Sequence, residues 1–201
     1  MTDLVILVGG KGSRLGKLTL KIPKPLITIN NKSFLDILLT KIIKYNFKNI
    51  FLLCSYKKKK FFDLYHNKKI HNSRIICINE GSQKDTGGAL YKIKNRIKNN
   101  FFLINGDSFF DIDFIFLKKL LNKNEIGVLA ITKNKNYKNN NKINNISIDK
   151  TGLLKFAKSK TNLMNGGIYY FKKEIFKYIE NKKISLENEI IKKLIYEKKI
   201  K

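Results

Sequence analysis

Five apolar residues in a row, Leu4-Val5-Ile6-Leu7-Val8, stop at Gly9-Gly10-Lys11-Gly12-Ser13-Arg14. A run that short, with no polar residue in alternation, offers no face to water. It suits a strand covered on both sides, which means a parallel sheet with helices above and below it. The same pattern recurs downstream. Apolar runs at 50–54, 74–78, 101–104 and 126–132 alternate with stretches of helical spacing at 57–65, 87–97 and 114–121. Strand alternating with helix predicts an α/β fold: a Rossmann-like, mainly parallel sheet with helices on both faces.

Between the first two long runs, residues 26–29 read as a further short strand. Ser33-x-x-Asp36 is a capping box that opens a helix with Phe34, Leu35, Ile37, Leu38, Ile42 and Tyr45 as its apolar positions. The last third of the chain changes character. A Lys/Asn-rich loop at 133–145 leads to the turn Asp149-Lys150-Thr151-Gly152 between short strands. A strand at 163–171 carries a double glycine, and helical segments follow near 172–180 and 185–197. A length of 201 residues with 43% hydrophobic content suits one domain with a sizeable core. The expected division is a core at 1–132 and a smaller, strand-rich part at 133–201.

The formal net charge of +27 would by itself point to nucleic acid or an acidic membrane surface. The excess, however, is spread along the whole chain. It also travels with Asn, Ile, Phe and Tyr, whose codons, like those of Lys, are rich in A and T, so codon bias explains it more simply. Base readout favours the planar Arg fork, and Arg occurs only at Arg14, Arg74 and Arg96. No nucleic-acid partner is expected. Cys54 and Cys77 each close an apolar run, which predicts free, buried thiols. The N-terminus does not read as a signal peptide. No apolar stretch approaches the ~18 residues of a membrane helix. A cytoplasmic location with no membrane partner is the expectation.

The glycine loop concentrates residues that are scarce elsewhere. Four of the 12 glycines (Gly9, Gly10, Gly12, Gly16), Arg14 and both prolines, Pro23 and Pro25, fall between Val5 and Pro25. In open α/β sheets, ligands bind beyond the carboxyl ends of the strands, and glycines there let backbone N–H groups approach an anion. The dinucleotide pattern G-x-G-x-x-G fails at Leu15, and the P-loop pattern fails at Lys11 and Leu18. The loop is therefore a phosphate loop of another kind. A guanidinium grips two phosphate oxygens in a fixed fork, which an ammonium cannot do; in a Lys-rich chain, Arg14 reads as a geometric requirement. Pro23 and Pro25 restrict the backbone on either side of Lys24 and would aim it at the same edge.

Gly9-Gly10-Lys11-Gly12-Ser13-Arg14-Leu15, followed by Pro23-Lys24-Pro25-Leu26, resembles the signature of the sugar-1-phosphate nucleotidyltransferases. Four further segments resemble that family in order: Asp85-Thr86-Gly87-Gly88-Ala89, Asn105-Gly106-Asp107-Ser108, the turn at 149–152, and Asn165-Gly166-Gly167-Ile168-Tyr169. Within the family, 105–113 and 163–171 look most like D-glycero-D-manno-heptose 1-phosphate guanylyltransferases, with the mannose enzymes a near second. The resemblance implies a nucleotide-diphospho-sugar transferase fold, with 1–132 as the nucleotide-binding core and 133–201 as the sugar-binding part. It implies transfer of a nucleotidyl group, GTP favoured, to a sugar 1-phosphate. Gly9, Gly10, Gly12, Ser13 and Arg14 would bind the triphosphate, and Thr86, Gly87 and Gly88 the base. Lys24 would bridge the α-phosphate and the sugar phosphate, Asp107 would bind Mg²⁺, and Asn165 and Gly166 would meet the sugar. Arg14, Lys24 and Asp107 are the implied catalytic set. A homo-oligomer is left open.

Three departures from the family pattern carry expectations of their own. Asp85 stands where relatives usually have Gly, which bears on base choice. Phe156-Ala157-Lys158 replaces Phe-x-Glu, so a sugar-facing carboxylate has become a cation. Relatives continue past the position of Lys201 through a strand and an Asp-x-Gly segment that supplies a second metal ligand. Without that segment, Mg²⁺ would lean on Asp107, phosphate and water, with Asp111 and Asp113 as candidate substitutes. Apolar residues at 186–195 would be exposed, and a non-catalytic, nucleotide-sugar-binding homologue becomes the alternative reading.

Overall fold

The computed structural model describes residues 1–81, 85–109, 111–133, 146–158 and 161–201, apart from the side chain of Arg14. The first apolar run is β1 (Asp3–Leu7). Next along the chain come α1 (Leu18–Lys21), the hairpin β2 (Thr28–Ile29) and β3 (Lys32–Ser33), α2 (Phe34–Ile42), β4 (Asn49–Cys54) and α3 (Lys58–Tyr65). Then follow β5 (Lys69–Ile70), β6 (Ser73–Asn79), α4 (Asp85–Tyr91), β7 (Phe101–Asn105), α5 (Phe114–Lys119) and β8 (Gly127–Lys133). The last third holds β9 (Ile146–Ile148), β10 (Leu154–Phe156), β11 (Leu163–Phe171) and α6 (Lys192–Tyr196).

Seven strands form one sheet in the order β5-β6-β4-β1-β7-β11-β8. The β6-β4-β1-β7 block is parallel throughout. β11 runs antiparallel to both β7 and β8. Because β11 lies between two strands of the first 133 residues, the later part of the chain is built into the main sheet. The side chains of β1 explain the layers: Leu4 and Ile6 join a core with α2, α3 and α5 on one face. Val5 joins a second core with α4 and the C-terminal helical segments on the other. Both faces are apolar, as an all-apolar strand requires.

Most sequence expectations hold, and the differences have local causes. Ser33 Oγ accepts from the Asp36 N–H at 3.0 Å, so the capping box is real. The strand expected at 26–29 shrinks to Thr28–Ile29. Lys24–Leu26 forms a 3₁₀ turn instead, closed by the Leu26 N–H donating to Pro23 O at 2.8 Å. Asn30 and Asn31 then turn the hairpin with φ of 46° and 63°, the geometry of a two-residue hairpin turn. The helix expected at 87–97 ends at Tyr91 and continues as turns. Cys54 and Cys77 are free and buried. Among the described residues, no helix is long and apolar enough to cross a membrane.

The exposure expected at 186–195 is overturned. Leu186 and Leu194 are 0% exposed, and Ile190, Ile191 and Ile195 no more than 5%. A π-helical turn, Leu186–Ile191, leads into α6 and packs on α4 and the lower face of the sheet. The residues after α6 cover the open edge of β8. Ile126 N–H donates to Lys199 O at 2.7 Å, Lys201 N–H to Gly127 O at 3.1 Å, and Leu129 N–H to Lys201 O at 2.7 Å. Ile200 pairs in parallel with Gly127 and is fully buried. Lys199–Lys201 thus covers this edge of β8.

The double glycine of β11 is a bulge: its register against β8 shifts between Asn165 and Tyr169. Gly167 sits at φ 72°, and a Cβ there would lie 2.6 Å from Asn105 Nδ2. Gly167→Ala therefore combines a left-handed backbone penalty with a clash. It should destabilise the fold by on the order of 2–4 kcal/mol in chemical denaturation. A loss below about 0.5 kcal/mol would mean that Asn105 moves aside freely.

Candidate active site

The carboxyl ends of β1, β6 and β7 open on the same edge of the sheet, at the point where strand order runs outward from β1 in both directions. This is where open α/β sheets bind ligands. The glycine loop leaves β1 here. Gly12 has φ 64° and Gly16 φ 55°, so the loop makes two left-handed turns around the 3₁₀ turn Ser13–Leu15. Buried Thr19 pins it: its hydroxyl donates to Gly12 O at 3.0 Å and is 3.2 Å from Gly16 O. The Tyr56 hydroxyl reaches Thr19 O and Leu20 O at 3.0 and 3.1 Å and anchors α1 from β4's side. Gly10 and Ser13 are exposed, and no backbone hydrogen bond from their N–H groups is formed with the described residues. The Arg14 backbone is within this turn, and its side chain lies outside the described residues.

Lys24 and Asp107, 83 residues apart, meet at 2.7 Å between Nζ and Oδ2. Two backbone devices bring them together. Pro23 and Pro25 set the 3₁₀ turn from which Lys24 projects. Gly106 lets β7 run on against β1: a Cβ there would lie 2.7 Å from Val8 Cγ1, and the Gly106 N–H donates to Leu7 O at 2.9 Å. Both side chains are about 40% exposed, 38% and 42%. As a surface pair they would add only ~0–1 kcal/mol to stability. Their contact therefore adds little to the stability of the fold.

The Asp107 carboxylate already holds one cation, the Lys24 ammonium, and faces the open edge. That arrangement fits Mg²⁺, which takes one or two protein carboxylates together with phosphate oxygens and water. Among the described residues, no three ligating side chains form a closed metal cage. Of the two candidate substitutes, Asp113 has one oxygen engaged: its Oδ1 accepts from the Ile115 N–H at 2.8 Å and caps α5. Asp111 lines a small cleft with Lys41, Lys44 and Tyr45.

The Asp85–Gly88 turn is placed differently from expectation. Thr86 does line a cavity beside the loop, of about 240 Å³, with Leu7, Gly9, Gly10, Glu80, Asp85, Ala89 and Lys183. Gly87 and Gly88 are buried, and their N–H groups both donate to Ile184 O, at 3.0 and 3.1 Å. A Cβ on Gly87 would lie 2.8 Å from that same oxygen. The N–H donors of both glycines are therefore used within the fold, and neither glycine lines the cavity that Thr86 does. The Thr86 hydroxyl is also engaged, donating to Glu187 Oε2 at 2.6 Å and accepting from the Leu186 N–H at 3.0 Å.

A second cavity, of about 490 Å³, lies on the far side of Asn105. Asn165 lines it together with Asn105, Glu187, Asn188, Lys192 and Phe156. Asn165 is held at both ends: its Oδ1 accepts from the Gly167 N–H at 2.8 Å and its Nδ2 donates to the Tyr169 hydroxyl at 2.7 Å. Asn105 Oδ1 is buried and has no hydrogen-bond partner among the described residues. Gly166 is buried in the bulge, so it shapes this wall and does not line the cavity. Glu187 brings into this cavity the carboxylate that the sequence lacks near Phe156.

Sequence reasoning missed Glu80, Lys183 and Glu187. Glu80 directly follows β6 at the carboxyl edge, in a chain with only 15 Asp+Glu, and that placement was the available signal. Burial pushes the Glu80 carboxyl from its ordinary 4.5 up to about 7. A folded pKa above the unfolded one means that the folded state holds the proton longer, so stability is lost as pH rises from 4.5 through about 7. Glu80→Gln removes that loss. It should stabilise the protein at about pH 8 by up to ~3 kcal/mol and leave it nearly unchanged at about pH 4. Thermal melts at both pH values check this; an equal shift at the two would remove titration as the cause.

The sequence profile of the nucleotidyl transferase family matches residues 4–199. Bifunctional protein GlmU of Methanocaldococcus jannaschii is 33% identical over 213 residues, covering 99% of this chain and 48% of its own. D-glycero-alpha-D-manno-heptose 1-phosphate guanylyltransferase of Campylobacter jejuni is 35% identical over 180 residues, covering 86% of this chain and 76% of its own. The chain thus spans about half the length of the GlmU relatives it matches. Among solved structures, HddC from Yersinia pseudotuberculosis complexed with GMP-PN superposes with a TM-score of 0.74 at 28% identity, over 94% of this chain and 84% of that one. A putative glucose-1-phosphate thymidylyltransferase from Bacillus anthracis reaches 0.82 at 15% identity, over 100% and 85%, a likeness of fold alone. With its glycine loop, its strand-end carboxylate and a profile match over nearly its whole length, this chain belongs to the nucleotidyl transferase family.

Proposed function

We propose that the chain transfers a nucleotidyl group from a nucleoside triphosphate, GTP favoured, to a sugar 1-phosphate of heptose or mannose type. The observation that carries this reading is the meeting of Lys24 with Asp107 beside the glycine loop. A phosphate oxygen of the sugar 1-phosphate attacks the α-phosphorus. The bond from that phosphorus to the bridging oxygen breaks, and pyrophosphate leaves. The nucleophile is already an anion, so no general base is needed; the obstacle is repulsion between two polyanions. The exposed N–H groups of Gly10 and Ser13 receive phosphate oxygens, and Arg14 holds the triphosphate. Lys24 lies between the loop and Asp107, where its charge can serve both phosphates. Asp107 would hold Mg²⁺, which when bound neutralises phosphate charge and fixes the triphosphate's conformation. The cavity around Asn165 and Glu187 would take the sugar, with the unpartnered Asn105 Oδ1 as an acceptor for a hydroxyl. The names of the Campylobacter relative and of HddC's ligand support the choice of heptose and guanine.

Pyrophosphate release, measured with Mg²⁺ over a panel of nucleoside triphosphates and sugar 1-phosphates, tests this. The expected outcome is turnover with GTP and a heptose or mannose 1-phosphate. Turnover with a different pair would redirect the specificity. No release with any pair would remove the enzymatic reading.

A further inference from the structure

The short helix α1 turns its apolar side chains outward. Within its single turn Thr19 is the inward residue, 3% exposed. Leu18 and Leu20 on either side of it are each 66% exposed, and Leu15 and Ile22 each 39%. Lys17 and Lys21 are exposed among them. The turn is held this way round. The Thr19 hydroxyl is committed to Gly12 O, and the Tyr56 hydroxyl to Thr19 O and Leu20 O. The Tyr56 contact also sets the start of α3 beside α1. There Lys57 is half-buried and Lys58, Lys59 and Lys60 are exposed. Two segments far apart in the chain thus share one face, with lysines 17, 21 and 57–60 around exposed leucines.

Nothing in the fold neutralises those lysines. No Asp or Glu lies between Asp3 and Asp36, or between Asp36 and Asp63. Asp36 uses both carboxylate oxygens internally, accepting from the Ser33 and Tyr65 hydroxyls at 2.7 and 2.9 Å. All 15 Asp and Glu are among the described residues, and none forms an ion pair with any of the six lysines. Exposed leucine is unfavourable in water, and lysines gathered without acids repel one another. Apolar surface rimmed by charge in this way marks an interaction site.

We propose that α1 and the start of α3 form a docking face for an anionic lipid bilayer, independently of the nucleotidyl-transfer reading above. The pairing of leucine with lysine selects this occupant. A bilayer with acidic headgroups offers negative charge to the lysines and, just beneath it, hydrocarbon to the leucines. Lysine stems lie along apolar surface while their ammonium groups reach the headgroups. Nucleic acid offers phosphate charge without a hydrocarbon layer. A second copy of the chain would bring its own lysines to the contact and be repelled. The net charge of +27 favours approach to any acidic surface but singles out no face; the leucines do. With four residues, α1 lies on such a surface and does not cross it.

Co-sedimentation of the whole chain with lipid vesicles tests this, comparing pure phosphatidylcholine with phosphatidylcholine containing about 30% phosphatidylserine. The parent should bind the phosphatidylserine vesicles on the order of 10-fold or more tightly, and lose most of that binding between about 0.1 and about 0.5 M salt. The double variant Leu18→Ser with Leu20→Ser keeps every charge and should bind them on the order of 10-fold more weakly. Lys17→Gln with Lys21→Gln should weaken binding by at least a similar factor. Ile115→Ser is the control. Ile115 is 58% exposed and shares a cleft with Thr2, at the other end of β1, so its loss should change nothing. Melting temperatures check that each variant folds; if the double leucine variant melts early, Leu18→Ser alone carries the comparison. Absent binding, or equal binding to the two vesicle types, overturns the docking face. So does a leucine variant that binds like the parent, since net charge alone would then explain the attraction. Binding to polyglutamate but not to vesicles would assign the face to an acidic protein. A dimer that the leucine variant breaks, without vesicle binding, would assign it to a second copy. Either result overturns the lipid reading.

Discussion

Asp107→Asn should lower Mg²⁺-dependent pyrophosphate release by on the order of 10³-fold or more while the protein melts almost where the parent does. The two halves of this expectation come from different links. Asn keeps the size of Asp and loses its charge. In the fold, Asp107 makes one contact of note, to Lys24 at 2.7 Å, and both groups are about 40% exposed. A pair in that setting contributes ~0–1 kcal/mol to stability, so circular dichroism and melting should hardly change. In the reaction, the same carboxylate is the group at this edge that would hold the divalent cation. Mg²⁺ binds carboxylates and phosphates through charge and hard oxygens, and a neutral amide is a poor substitute. Nucleotide affinity measured without metal should survive, because the loop and the cavity beside it are untouched. A loss smaller than about tenfold would mean the cation is held elsewhere, and Asp111 would become the residue to vary.

Lys24→Ala should cost about 10²- to 10³-fold in kcat with a smaller change in the KM for triphosphate, because its charge matters most when two polyanions are forced together. The double variant Lys24→Ala with Asp107→Asn adds a sharper measurement. If Lys24 and Asp107 act as one unit, the double variant should be about as slow as Asp107→Asn alone, since residues of a shared device are strongly non-additive. Simple multiplication of the two losses would show that they act independently, and the contact at 2.7 Å would then be no more than surface pairing. Melting temperatures separate either outcome from unfolding.

The strands, their order of appearance and the glycine loop were legible along the chain because each is a local matter. An all-apolar run of five residues has few places to go but the middle of a sheet. Two prolines around one lysine restrict φ wherever the segment lies, and a Ser-x-x-Asp box opens a helix with its own atoms, as Ser33 does for α2. Lys24 and Asp107 were legible for a related reason: each sits in a short motif whose geometry survives transplantation into the fold.

The rest depended on which segments lie against one another. Gly87 and Gly88 look from their neighbours like an open helix start, yet the Ile184 carbonyl, nearly a hundred positions away, takes both N–H groups. Asp113, beside Asp107 in the sequence, spends its Oδ1 on capping α5. The apolar face at 186–195 looks uncovered until it is found packed on α4 and one face of the sheet. Glu80 and Glu187 are ordinary acidic residues in a row of letters. Burial pushes the first carboxyl up to about 7, and the Thr86 hydroxyl, which lines the cavity beside the glycine loop, holds the second while it lines the Asn165 cavity. Hydrogen-bond partners and solvent access belong to pairs of distant segments. They come into being only when the sheet brings those segments within ångströms of each other, so residues whose roles depend on them could not be read in advance.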